Sequence, residues 1–452
     1  MKIIIIGSGI SGLGAAWALS RPRRDGQTCQ ITLLEADARI GGHANTVNTP
    51  DGTPIDTGFI VFNQKTYPNL LALFDQLDVP VADSDMSFGV SMRGGELEYA
   101  CDGLSTIFGQ WRNLARPGHW RMVSDMLRFF RQGHDLAEQP PAVSLEQWAR
   151  DNGYSDDYIR DHLAPMGAAI WSASLTDILD FPAASYARFF RNHGLLQVSD
   201  QPPWFTVRGG SREYVQRLVA DMPDVTIRTS SPVSTVLPRH GGGASVTLSD
   251  GQSLQADAVI LACHSNQTAA MLIQADQDQQ AVLADLTYAP NTAYLHRDKR
   301  LMPKRRKLWS SWNVLSGPKT DAGTGNAPVT VSYWMNRLQP LDTDQDWFVT
   351  LNPRTEPDPD LVAGRFNYAH PQFDRATIAA QSRLPEIQGR NDIWFAGAWM
   401  GWGFHEDGLA SGLSVAQQLG AALPFDLGLA SPAATNARRA TPAPAALPIA
   451  AE

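Results

Sequence analysis

The chemistry written most plainly in this chain lies in Gly7-Ser8-Gly9-Ile10-Ser11-Gly12. Glycines at the first, third and sixth places follow the apolar run Ile3-Ile4-Ile5-Ile6 and precede a stretch rich in Ala and Leu. That context makes the six residues a diphosphate-binding turn. Gly7 permits the tight turn, Gly9 lets a diphosphate approach the backbone, and Gly12 lets helix and strand pack closely. The helix opening at Ile10 and Ser11 offers free N–H groups and the positive end of its dipole to the anion. Glu35, followed by Ala36, closes the next apolar run at about the 20-residue spacing of an acid that accepts ribose hydroxyls. A carboxylate there repels a 2′-phosphate, so NADP is disfavoured at this turn.

A second group of reactive residues sits near the other end. Trp399, Trp402, Phe404 and His405 lie between the strand-like Ile393-Trp394-Phe395-Ala396 and a helical run over 406–419. His405 is the acid–base candidate, because imidazole titrates near neutral pH; a structural hydrogen bond is the competing role. Glu406 and Asp407 suit the capping of that helix. Tyr333 and Trp334 either line a pocket or fill a core, and His43 either contacts a cofactor or serves only through its backbone. No serine–histidine triad and no cluster of metal ligands stands out. Cys29, Cys101 and Cys263 are odd in number, widely spaced and without a CxxC pair, which argues against a disulfide scaffold or a zinc site.

These residues need elements to hold them. Lys2–Ile6 and Gln30–Leu34 read as strands buried on both faces, with a helix over Ser11–Leu19 between them. A helix is predicted from about Thr66 to Gln76, and helical patterns cover 104–136 and 144–190. The stretch 207–262 reads as a helix followed by strands, with turns at Gly241-Gly242-Gly243 and Asp250-Gly251, and 288–352 as strands. Beyond Pro424 the chain becomes rich in Ala and Pro, and 425–452 is expected to be a disordered tail. The length of 452 residues, 43% of them hydrophobic, suits two or three domains. A net charge of −9 disfavours nonspecific nucleic-acid binding. No stretch approaches the roughly 20 apolar residues of a membrane span, and a cytoplasmic protein is expected, peripheral at most to the inner face of a membrane.

The run from Glu35 through Arg39-Ile40-Gly41-Gly42 resembles the E-x-x-x-R-x-G-G run of the flavin amine oxidase superfamily. Trp394-Phe395-Ala396-Gly397 followed by Gly408-Leu409-Ala410-Ser411-Gly412 is similar to that family's second FAD motif, and 209–263 to its returning FAD-domain segment. The resemblance implies an α/β fold: a Rossmann-type FAD-binding domain from 1–85, 200–275 and 385–424, and an α+β substrate domain from 86–199 and 276–384. It implies non-covalent FAD, with Arg39 against the diphosphate, Gly41, Gly42 and His43 beside the cofactor, and Val233 near the adenine. Gly58, Phe59, Gly397, Asp407, Gly408 and Leu409 are further cofactor candidates. Trp399, Trp402, His405 and Tyr333 are the catalytic-site candidates. One departure is Gly397-Ala398, where many relatives carry Gly-Asp to hold a ribityl hydroxyl.

Gly42-His43-Ala44-Asn45-Thr46, Asp56-Thr57-Gly58-Phe59 and Gly403-Phe404-His405-Glu406-Asp407-Gly408 narrow the resemblance. They look like a bacterial amine-oxidase-like subgroup similar to the oxidase-like domain fused to plant cyclopropane fatty-acid synthases. That implies a hydrophobic, fatty-acyl or phospholipid substrate, with oxidation, desaturation or isomerisation by hydride transfer to the flavin. Amine oxidase, polyene desaturase and a non-catalytic FAD-binding partner of a lipid methyltransferase are the alternatives. Two basic segments fit contact with a membrane surface: 111–131, where five arginines alternate with Trp111, Trp120, Phe129 and Phe130, and the Lys/Arg cluster over 299–307. A basic-aromatic helix is more commonly a solvated face over a core stripe, and a lysine–arginine run more commonly a loop.

Overall fold

In a computed structural model, which describes residues 1–197, 202–317 and 329–428, two sheets organise the chain. The first has five parallel strands in the order Thr226–Arg228, Gln30–Leu34, Lys2–Ile6, Ala258–Leu261, Ile393–Phe395. Ile3–Ile6 pair with Ile31–Leu34 on one side and Ala258–Leu261 on the other, so every isoleucine of the run is buried. Apolar residues on both faces belong to a strand covered on both sides. The helix Ile10–Leu19 fills one face, and all ten of its residues are buried because the last helix, His405–Gln418, packs across it. A three-stranded antiparallel ribbon, Val233–Pro238, Ala244–Leu248 and Ser253–Ala256, covers part of the other face.

The second sheet has seven strands in the order Val362–Pro371, Tyr288–His296, Phe348–Leu351, Thr330–Trp334, Trp312–Leu315, Phe88–Met92, Leu97–Ala100. Every neighbouring pair is antiparallel except Trp312–Leu315 with Phe88–Met92. A helical layer accompanies it, cemented by aromatics: Phe129 meets Trp148, Tyr186 and Phe190 edge-on.

The helical pattern over 104–136 is broken. It resolves into a turn of helix at Leu104–Ile107, a 3₁₀ turn at Trp111–Ala115 and a helix at Pro117–Leu136. Pro117 has no N–H to give and stands at the first helical position, where none is required. The stretch 144–190 likewise divides into short helices around a π turn at Ile159–Leu163. The expected tail begins in contact with the body. The Phe425 ring stacks on Trp17 at 6.1 Å, and Gly428 exchanges hydrogen bonds with Asn69, because both offer an apolar or polar surface that the first helices leave uncovered. Residues 429–452 lie outside the described residues.

Candidate functional site

The turn after the first strand has the geometry of an anion seat. Gly7 has φ +104°, and a Cβ there would sit 2.7 Å from the Ala262 carbonyl oxygen. Gly12 is pressed so closely on the Gly7 carbonyl that any side chain would collide with it. Gly9 is the opposite case: a Cβ on it meets no atom within 4 Å. It caps the first helix in extended conformation, and the N–H groups of Ile10, Ser11 and Gly12 begin that helix without intrahelical acceptors. Gly42, at φ +57°, closes over the same space, where a Cβ would lie 3.0 Å from the Gly9 Cα.

Arg39, which the resemblance sets against the diphosphate, is engaged with the loop that follows it. Its guanidinium donates to the carbonyls of Ile40 at 3.1 Å, Ala44 at 2.9 Å and Gly42 at 2.8 Å. Two consecutive positive-φ glycines turn these carbonyls toward one side, and the planar fork satisfies three of them. Arg39 thus braces the Gly41–Gly42 loop, while the Gly41 N–H bonds the Ser8 carbonyl at 3.0 Å.

Glu35 is held ready at the end of its strand. One carboxylate oxygen accepts from the Ser8 N–H at 2.8 Å and the Ser8 hydroxyl at 2.5 Å; the other accepts from the Asp37 N–H at 2.9 Å. A carboxylate offers about four acceptor positions, so one remains for a sugar hydroxyl. The Ser231 N–H donates to the Glu35 carbonyl at 2.8 Å and the Ser230 N–H to that of Asp37 at 2.9 Å. These bonds carry Val233, half-buried at a strand start, to the same side as Glu35 and Ala36.

The last helix brings a second N-terminus to the same region. Gly408 lies against Ile10 and Ser11, where a Cβ would come within 2.9 Å of Ile10 Cγ2, and Leu409 packs on Gly14. The positive ends of two helices therefore converge. Asp407 caps its own helix, accepting from the Trp402 and Phe404 N–H groups at 3.0 Å each. Glu406 caps a different one: it accepts from the Asn69 and Leu70 N–H groups at 2.9 Å each, at the start of Pro68–Gln76. Burial pushes both carboxyls up to about 7. The Gly397 N–H bonds the Ser411 hydroxyl at 2.9 Å, joining strand end to helix.

His405 opens this helix and is buried. Its ring stacks flat on Phe59 at 3.9 Å, and its Nε2 shares a 2.6 Å hydrogen bond with the Tyr214 hydroxyl. Burial lowers it to about 3, so the imidazole is neutral at any physiological pH. Gly58 presses on the His43 carbonyl, which accepts from the Phe59 N–H at 2.8 Å; this ties the segment that carries Phe59 to the His43 backbone. Trp399 is buried with its indole N–H on the Cys263 carbonyl at 3.0 Å, tying the last loop to the segment after the strand Ala258–Leu261. Trp402 packs against Phe373. Tyr333 stands within the second sheet against Trp312 at 4.8 Å, and the described contacts tie it there rather than to the glycine turns.

One cluster escaped sequence reasoning. His43 sits 6.0 Å from His264, 5.6 Å from His370 and 5.1 Å from Tyr368, ring centre to ring centre. Burial first, and then the neighbouring histidines, hold His43 well below the ordinary imidazole range; burial lowers His264 and His370 to about 4. The Nε2 of His43 is buried without a hydrogen-bond partner. The only local signal was position: His43 follows Gly41–Gly42, and His264 follows the strand Ala258–Leu261. Among the described residues, no group of three or more His, Cys, Asp or Glu side chains is arranged to hold a metal ion.

An open glycine face at a helix N-terminus, a second glycine loop opposite it and a carboxylate ending the next strand define a dinucleotide-binding flavoprotein of the two-sheet type. Residues 10–343 match the family of flavin containing amine oxidoreductases. The chain belongs to that family, and FAD is its cofactor. A Mycobacterium tuberculosis protein named as a flavin-containing monoamine oxidase is 26% identical over 284 residues, 58% of this chain and 56% of that protein. The chain thus matches about half the length of that curated relative. A fatty acid isomerase from P. acnes that produces CLA superposes with a TM-score of 0.66 at 14% identity, over 92% of this chain and 98% of its own. Putrescine oxidase bound to putrescine superposes at 0.65 with 18% identity, over 93% and 99%. At such identities the likeness is one of fold.

Proposed function

We propose that this protein is an FAD-dependent oxidoreductase acting on a hydrophobic fatty-acyl or phospholipid substrate, with FAD held non-covalently. FAD would be held by Gly9, Ile10, Ser11, Gly42 and Glu35, and would supply a two-electron acceptor for hydride. The observation that carries the substrate reading is the wall around the last loop. Phe404 stacks on Phe189 at 5.1 Å, His193 lies on Phe189 at 3.8 Å, and Trp402 faces Phe373 at 6.5 Å. Glu406 and Asp407, which follow Phe404 and His405 in the chain, are spent on backbone N–H groups. Such a surface suits an acyl chain and offers no free anion to an alkylammonium group.

Within the site, the residues of this chain position and exclude. Phe59 and Tyr214 lock the His405 ring, which fixes the start of the last helix. The unpaired Nε2 of His43 is the ring nitrogen left for a substrate hydrogen bond, and burial keeps that imidazole neutral near neutral pH. An amine oxidase is the second reading, favoured by the family and by the monoamine oxidase likeness.

Anaerobic mixing of the holoprotein with unsaturated fatty acids, phospholipids and primary amines separates the readings. Bleaching of the flavin band by lipid, or a product lipid with a gained or moved double bond, is the expected result. Bleaching by amines alone overturns the lipid reading, and inertness toward every substrate leaves a non-catalytic FAD protein.

A further inference from the structure

The helix Pro117–Leu136 turns Met122, Val123, Met126, Phe129 and Gly133 inward, so its aromatic content is partly core. What remains outside is unusual. Leu104 is 74% exposed, Trp111 71%, Leu114 56%, Trp120 50% and Leu127 43%, five of the nine large hydrophobic side chains exposed among the described residues. Trp111, Leu114, Trp120 and Leu127 adjoin, and Leu104 opens the short helix that leads to Phe108. Trp111 and Leu114 are three apart in a 3₁₀ turn and share a side of it. The Trp120 indole N–H bonds the Leu114 carbonyl at 3.0 Å, and Phe108 packs on Trp120 at 4.5 Å. Leu127 and Arg131 continue the Trp120 stripe at helical spacing.

The charge of this face is opposite to that of the chain. Residues 104–131 carry five arginines, of which Arg121 pairs with Asp157 and Arg128 with Asp125, within a protein of net charge −9. Arg112 lies over the Trp111 ring at 5.7 Å and, with Arg131, is exposed. The basic cluster over 299–307 offers less: Lys299 and Arg306 pair with Asp346, Arg300 with Asp298 and Arg305 with Glu98. No helix among the described residues is long and apolar enough to cross a membrane. Exposed tryptophans and leucines rimmed by arginine match the depth profile of a lipid headgroup layer, where indoles sit at the interface and cations meet anionic headgroups.

We propose that the face carrying Leu104, Trp111, Leu114 and Trp120 docks on an anionic bilayer surface, with Arg112 and Arg131 at the headgroups. This docking is independent of the substrate. The test is co-sedimentation of the holoprotein with vesicles of phosphatidylcholine alone or mixed with phosphatidylglycerol, at low and high salt. Wild-type protein is expected to pellet with the phosphatidylglycerol vesicles and to be released by salt. W111S/W120S should lower vesicle affinity at least tenfold, and R112E/R131E should abolish the preference for phosphatidylglycerol. Flavin content should match wild type in both, since the altered side chains lie away from the glycine turns; W111S/W120S should lower the melting temperature only by the loss of the Trp120–Phe108 contact and the Trp120–Leu114 hydrogen bond. Wild-type protein that ignores both vesicles overturns the proposal, as do variants that bind like wild type. A wild-type dimer that W111S/W120S splits, without vesicle binding, assigns the face to a protein contact and also overturns it. Vesicle binding without lipid turnover would leave the docking standing while removing the substrate reading.

Discussion

Replacing Gly9 tests the cofactor seat without disturbing the fold. Gly9 has φ −67° and ψ 178°, which any residue adopts, and an added Cβ meets no protein atom within 4 Å. Gly9→Ala should therefore leave the apoprotein folded. A rigidified unfolded chain should even make it more stable, by about 0.4–1 kcal/mol. The same methyl group projects into the open space in front of the helix N-terminus and pushes a diphosphate away from it. Loss of one charge-assisted hydrogen bond costs about 1.5–3 kcal/mol, so Kd for FAD should rise roughly ten- to 150-fold. Gly9→Val should abolish retention of the cofactor through purification. FAD at about 100 times its Kd adds roughly 2.7 kcal/mol to wild-type stability, and that thermal shift should vanish in Gly9→Val. The assay is calorimetric titration of apoprotein with FAD beside melting curves with and without it. Wild-type affinity in Gly9→Val would refute the placement of the diphosphate. Gly12→Ala is the contrasting variant: its methyl collides with the Gly7 carbonyl, so the apoprotein itself should lose stability.

Glu406→Ala strips the carboxylate from the Asn69 and Leu70 N–H groups and should destabilise the fold by about 1–3 kcal/mol in urea unfolding; an unchanged midpoint would show that water replaces it freely. His405→Ala removes the Phe59 stack and the Tyr214 bond, so it should lower the melting temperature yet keep FAD. If flavin reduction proceeds at the wild-type rate, His405 has no part in the chemistry. Stability should fall with acid. Burial lowers eight histidines, His43, His119, His162, His193, His264, His296, His370 and His405. The unfolded chain protonates them near 6.5 and the folded chain does not, so their contribution is whole above 6.5 and is lost as pH falls toward 4. Glu406 and Asp407, raised to about 7, act in the opposite sense, favouring the folded state as pH falls from 7 toward 4. The histidines outnumber them, so melting temperature should drop between pH 7 and pH 5. A flat profile would mean that the imidazoles stay hydrated.

The first 42 residues could be read because each step of their argument is local. A strand, a turn that only glycine can make and a helix start are specified by neighbours in sequence, and the anion seat follows from backbone geometry alone. Arg39 shows where such reading stops: its motif is plain, but which carbonyls its five donors satisfy depends on how the Gly41–Gly42 loop closes. Glu406 and Asp407 are adjacent and alike, yet one caps its own helix and the other caps a helix 337 positions away, a distinction no local pattern carries. The histidine cluster is the extreme case. Residues 43, 264 and 370 come from a loop, the end of a buried parallel strand and the edge strand of the other sheet, and only the docking of the two sheets makes them neighbours. Their low basicity is a consequence of that docking, since burial is its first cause. A cluster of neutral imidazoles made this way exists only when both sheets are folded and joined. Its histidines should therefore gain protons in the same cooperative transition that unfolds the chain, not in a separate step before it.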